Sequence, residues 1–380
     1  MSSKRGNGEG TIYQRSGSER WEAGFSYVDA EGRRRRRTLY GRSRREVAAK
    51  LREAVRRSEA GETVADSRDT VGAFLERWLT EALPARGLKA TTVENYQTIA
   101  RTHLIPALGH RKLDSLTAAD VQRLVNLKRE AGLSPRTVQV IHGVLRRALT
   151  QAVRWGEARR NVAALVDRPR VPRREAEYLS PDQAQQLLDA ARSDRLFAFY
   201  SVAMACGLRR GEALALRWSD VDLDAGTLRV SRTLSRVAGG GLTFTQPKTD
   251  RSRRTVPLPE ALVTELRAHR VRQAAERLAA GSLWRDHGLV FPSLFGTPLE
   301  PRNALRSLQT VAGRAGLGHV KLHTLRHTAA SLLLAQGVHP RVTMELLGHS
   351  GIDVTMNIYS HVMPQQQREA ADRMGQALRW

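Results

Sequence analysis

Apolar residues recur at helical spacing through much of the chain. In "TVGAFLERWLTEAL", Val71, Phe74, Leu75, Trp78 and Leu79 fall on one face of a helix, as a 3.6-residue period requires. Thr91 and Glu94 have the spacing of a capping box and mark the start of a second helix. "TAADVQRLVNLKRE" predicts a third. "SPRTVQVIHGVLRRALTQAVRW" predicts a fourth, with Ser134 as N-cap and Pro135 at the first helical position. Its apolar stripe is Val138, Ile141, Val144, Leu145, Ala148 and Ala152, with arginines opposite. Such a unit is either a plain helical bundle or one that embraces DNA.

The pattern before and after this region differs. "GTIYQR", "RWEAGFSYVD" and "RRRRRTLYG" are short and rich in aromatic and β-branched residues, with Gly17 and "DAEG" as turns between them. They predict a three-stranded sheet. "SRREVAAKLREAVRRSEAG" then predicts one helix, ended by Gly61. Further on, "RPRVPRREAEYL" carries two prolines and many charges and reads as a linker. "SPDQAQQLLDAAR" opens a third region with another Ser-Pro helix start. Helices dominate that region, interrupted by "GTLRVSRT" and "LTFTQPKTDRSRRTVPL", which predict a small antiparallel sheet. The expected fold is therefore α+β and mainly α. A sheet-plus-helix domain spans 1–66, a four-helix domain 67–168 and a mainly helical domain 169–380.

Charge narrows the partner. The 380 residues hold 62 Lys and Arg against 38 Asp and Glu, a net charge of +24, which points to a polyanion such as double-stranded DNA. A hydrophobic content of 41% is enough for large cores, so the charge does not imply disorder. Arg33, Arg34, Arg35, Arg36 and Arg37 form a run beside aromatic strand residues, the composition of a DNA-contacting sheet. Cys206 is the only cysteine and sits in an apolar run, which removes disulfides and cysteine-based zinc sites. No signal peptide opens the chain and no apolar stretch approaches roughly 18 residues, so no membrane partner is expected. The protein is expected to be soluble and intracellular.

The candidate chemistry lies near the C-terminus, in "HTLRHTAASLLLAQGVHPRVTMELLGHSGIDVTMNIYSHV". His323 and His327 are four apart and share a helix face, as in zinc hydrolases. Those sites need a glutamate beside the first histidine; here Thr324 stands there, and Arg326 would repel a cation. No metal is expected. Alternatively, His323, Arg326 and His349 surround an anion that Tyr359 attacks. Arginine offers a planar fork matched to phosphate oxygens. Surrounding positive charge would lower the pKa of a tyrosine and neutralise a developing phosphorane-like charge. Upstream, "ACGLRRGEALALRWSDVDL" puts Arg209 or Arg210 at a helix junction, with Glu212 placed to orient an arginine or to support the helix start. Lys248, in "QPKTDRSRRTVPL", is expected at a hairpin tip.

In this order, "CGLRRGEALALRWSDVDL", "PKTDRSRRTVPL", "HTLRHTAASLLLAQG", "LLGHS" and "NIYSHV" resemble the signature boxes of the tyrosine recombinases, the phage integrase family, across about residues 70–380. The segment before them is similar, more weakly, to arm-type DNA-binding domains. The resemblance implies a catalytic set of Arg209, Lys248, His323, Arg326, His349 and Tyr359, with Glu212 in support. It implies phosphoryl transfer without cofactor, through a 3′-phosphotyrosyl intermediate, and a homotetramer on DNA attachment sites. An excisionase and a host DNA-bending protein are the accessory partners it allows. The basic N-terminal unit favours integration and excision of a phage or other mobile element over a resolvase-type recombinase. A type IB topoisomerase and a DNA-binding regulator with a dead site are the other classes still open at this point.

Overall fold

The protein is seen in a computed structural model that describes residues 11–14, 19–28, 34–59, 69–172, 177–237, 240–246, 253–348, 371–372 and 374–378. Gly17, the "DAEG" turn and Gly61 lie outside these. The chain divides into two compact units, residues 1–172 and 173–380.

The first unit opens with β1 (Thr11–Gln14), β2 (Trp21–Val28) and β3 (Arg34–Gly41), an antiparallel sheet in that order, followed by α1 (Arg44–Glu59). Strand alternation explains its small core: Ala23 and Phe25 of β2 are buried with Val47, Leu51 and Ala54 of α1. The register sets Ser26 opposite Arg36 and Tyr27 opposite Arg35. The arginine run therefore divides between two faces. Arg34 and Arg36 are exposed and pair with Val28 and Ser26, while Arg35 and Arg37 pair with Tyr27 and Phe25.

The rest of this unit is helical: α2 (Val71–Arg77), α3 (Ala90–Ile99), α4 (Ile105–Leu108), α5 (Ala118–Glu130) and α6 (Pro135–Arg154). All five apolar positions read on α2 and its continuation are buried, as is the whole predicted stripe of α6. Burying each large apolar side chain of this kind contributes roughly 1.5–3 kcal/mol. Trp78 stacks on Tyr96 with ring centroids 5.9 Å apart. Two wide π-type turns interrupt the α pattern, Trp78–Ala82 after α2 and Ala100–Leu104 between α3 and α4. The second has a local cause. Pro106 has no N–H to give to a carbonyl one turn back, and its ring would crowd that carbonyl; the widened turn just before it makes room.

Ser134 caps α6 as expected, accepting from the N–H of Thr137. The capping box read at Thr91 is wrong. Helix α3 already begins at Ala90, with Lys89 in extended backbone before it, so Thr91 lies inside the first turn. A capping box not read from the sequence holds α5, where Thr117 and Asp120 satisfy each other's backbone N–H.

The second unit runs α7 (Pro181–Ala191), α8 (Phe197–Ala205), α9 (Arg210–Ala215), β4 (Val221–Asp222), β5 (Thr227–Val230), β6 (Thr233–Val237), β7 (Gly241–Thr245), β8 (Arg254–Pro257), α10 (Glu260–Ala280), α11 (Pro301–Arg314), α12 (Leu322–Ala335) and α13 (Pro340–Leu347). Phe199, Tyr200, Leu214, Leu266, Phe291, Leu308 and Leu325 belong to one continuous core. The sheet differs from the expected one. β8 pairs with β5 and β7 with β6, in two separate sheets, so the strands flanking Lys248 are not paired with each other over the described residues. Among the described residues no helix is long and apolar enough to cross a membrane.

Candidate active site

Gly207 makes the turn from α8 toward α9 with φ +57°, and a Cβ there would overlap the Leu347 side chain. Only glycine meets both conditions. The turn puts the Gly207 carbonyl against α12, where Arg326 donates to it through Nη1 at 2.7 Å. It also delivers Arg209 to the residue just before α9. The Arg209 backbone N–H and Nη1 donate to the two oxygens of Glu212 at 3.0 and 2.6 Å, and Nη2 donates to the Gly348 carbonyl at 2.6 Å. Arg210, the other arginine of "GLRRGE", is exposed.

A third guanidinium completes the cluster. Arg254, at the start of β8, donates from Nη2 to Glu212 at 3.1 Å and from Nε to the Leu346 carbonyl at 2.6 Å. The Glu212 and Arg254 side chains are 3% and 7% exposed, whereas that of Arg209 is 37% exposed. One buried carboxylate is thus contacted by two arginines, with the charge of Arg326 close enough to feel it. Burial alone would push the Glu212 carboxyl up; Arg254 and then Arg209 outweigh it and hold the group below the ordinary carboxylate range. Arg326 is buried, and burial followed by the like charge of Arg209 pushes its guanidinium down to about 9. Its Nη2 has no hydrogen-bond partner among the described residues. A buried charged donor left unpaired is costly, and an anion supplied from outside would remove the cost.

His323 and Arg326 share one side of α12. His323 reaches the surface; partial loss of water, then the charges of Arg326 and Arg209, keep its imidazole below the ordinary histidine range. His327 stands edge-on to His323, ring centroids 4.4 Å apart. Burial and its neighbour His323 push His327 down to about 4, so it is neutral at pH 7. Among the described residues no third His, Cys, Asp or Glu joins them as a metal-binding group.

The structure therefore brings together Arg209, Glu212, Arg326 and His323 from segments over a hundred positions apart. Lys248, His349 and Tyr359, with Arg33, lie outside the described residues, as do the side chains of Arg35 and Arg37. Sequence reading gave Arg254 no place of its own. A signal for it exists: Arg254 is two positions before the buried Val256 on a strand, hence on the inward face.

The fold has solved counterparts. The Tn1549 transposon integrase, in a complex with transposon right-end DNA, matches with a TM-score of 0.67 at 21% identity, over 79% of this chain and 99% of that one. The phage integrase family model matches residues 177–366, and the model of the phage integrase N-terminal SAM-like domain matches residues 70–128. A protein named tyrosine recombinase XerC-like, from Caldanaerobacter subterraneus subsp. tengcongensis, is 31% identical over 96% of this chain and 98% of its own length. An integrase from Streptomyces ambofaciens is 35% identical over 94% of each. The chain belongs to the phage integrase family, the tyrosine recombinases, and is a site-specific DNA recombinase.

Proposed function

We propose that Arg209 and Arg326 hold the scissile phosphate of a DNA attachment site while Tyr359 attacks it. The observation that carries this reading is the buried Arg326, whose Nη2 has no partner among the described residues, beside two further guanidiniums held on Glu212. In-line attack by the Tyr359 oxygen forms a 3′-phosphotyrosyl bond, and the bond to the 5′-oxygen breaks. Lys248 gives that oxygen its proton. His323 takes the tyrosine proton, a role suited to an imidazole kept below the ordinary range. His349 joins the arginines on the non-bridging oxygens. Because the phosphodiester energy is kept in the covalent bond, a 5′-hydroxyl from another duplex reverses the step and completes strand transfer.

Residues 1–66 act as an arm-binding domain, 67–168 as the core-binding domain and 169–380 as the catalytic domain. Arg34 and Arg36, exposed on the sheet face turned from α1, support the first of these. Four protomers assemble on two sites, with an excisionase and a host DNA-bending protein as accessory factors, at the nucleoid. The integrase relatives favour insertion and excision of a mobile element. The test is a nicked suicide substrate. Tyr359→Phe should keep DNA affinity and its steep salt dependence, which phosphate contacts elsewhere supply, and form no covalent adduct. An adduct in that variant would assign the chemistry to another residue.

A further inference from the structure

Arg254 carries the strongest unassigned geometry in the molecule. Its side chain is 7% exposed, yet it is fully engaged: one arm on Glu212, the other on the Leu346 carbonyl. Glu212 is in turn the residue that fixes Arg209 by two contacts, and Arg209 reaches the Gly348 carbonyl two positions beyond Leu346. Strand β8, the start of α9 and the C-terminal end of α13 are therefore joined through one guanidinium and one carboxylate. α13 ends at Leu347, with Gly348 in left-handed backbone after it. The chain that follows carries His349 and then Tyr359.

We propose that Arg254 is a positioning residue: it does not touch the phosphate, but locks the Glu212–Arg209 pair to the end of α13. This rests on the phosphate-site reading above for its effect on rate, though not for its effect on the fold. A lysine would not replace it, because an ammonium on a flexible stem cannot span two partners in the fixed directions of a planar fork. Among the described residues, the charged groups around Glu212 are Arg209 at the start of α9, Arg254 on β8 and, through its charge, Arg326 on α12. Cys206, at the end of α8, has its thiol pushed up to about 12 by burial and stays neutral. Taking away Arg254 removes the largest influence opposing burial at Glu212, so its carboxyl should take up a proton at higher pH.

The test compares wild type, Arg254→Lys and Arg254→Gln as full chains. Single-turnover adduct formation on saturating suicide DNA is measured across pH, with hydrogen exchange of residues 340–348. Arg254→Gln should bind DNA with little change but form adduct about 10²-fold more slowly at neutral pH, as expected of a displaced catalytic group. Its acid limb should move to higher pH. Exchange at the end of α13 should rise in both variants, and Arg254→Lys, which keeps the charge, should keep the acid limb near its original place. A rate close to wild type at every pH, or slowing that is equal at every pH with unchanged exchange, would overturn the proposal. If even wild type forms no adduct, the phosphate-site reading fails, and the exchange data alone decide the positioning role.

Discussion

At the scale of single residues, the site depends on groups that are hard to replace for different reasons. Gly207 is one: left-handed backbone and close contact with Leu347 both exclude a side chain. Gly207→Ala should destabilise the protein by about 1–3 kcal/mol and displace the carbonyl that anchors Arg326, so thermal unfolding and adduct yield should fall together. His327 is another. It is held neutral in the fold and pushed down to about 4 from an ordinary 6.5. Its folded value is depressed, so between those two values the unfolded chain takes up a proton that the folded chain refuses. Stability should therefore decline as pH falls from 6.5 toward 4, by about 1–3 kcal/mol from this residue, and His327→Gln should flatten that part of the denaturation profile. Arg209 shows what sequence leaves open at this scale. Two adjacent arginines stand in "GLRRGE", and only the turn at Gly207 decides that Arg209 meets Glu212 while Arg210 faces solvent.

At the scale of elements, legibility followed the range of the interaction. α6 and α7 were readable because Ser134 and Ser180 cap them locally and proline follows each cap. The Thr91–Glu94 spacing misled because a capping box is a pattern of two residues, while the true start of α3 depends on the extended backbone at Lys89. The π-type turns were unreadable, since the buried apolar positions through them, up to Leu83 and Leu108, keep the spacing of an ordinary helix. Strand pairing was the least legible: β7 and β8 are adjacent in sequence yet pair with β6 and β5, choices made by tertiary packing. Lys248 falls in the sequence between β7 and β8, outside the described residues. If Lys248 is the acid for the leaving 5′-oxygen, Lys248→Ala should cleave ordinary DNA about 10²–10⁴-fold slowly. It should cleave 5′-bridging phosphorothiolate DNA at nearly the wild-type rate, because a thiolate leaves without a proton. Arg326→Ala should gain nothing from the sulfur, since its proposed place is on the non-bridging oxygens. Equal rescue of both variants, or of neither, would remove Lys248 from that role.

At the scale of the whole molecule, family, fold class and most of the arginine cluster were legible from ordered motifs and charge. The third arginine was not, because Arg254 gains its meaning only when β8 is laid beside α9 and α13. The separate small core of the N-terminal sheet and α1 suggests that this part can be removed without disturbing the others. Deleting residues 1–66 should leave cleavage of core-site DNA intact and abolish integrative recombination; full recombination on minimal sites by the truncated protein would contradict an arm-binding role. On the proposed reading the arginine cluster holds a phosphate for Tyr359. This reading is tested most directly by trapping the full chain on a nicked attachment-site duplex, digesting the adduct and locating the nucleotide remnant by mass spectrometry. A 3′-phosphate linked to Tyr359 is expected in wild type, and no linked peptide after Arg326→Ala. A remnant on any other residue, or undiminished linkage without Arg326, would contradict the reading.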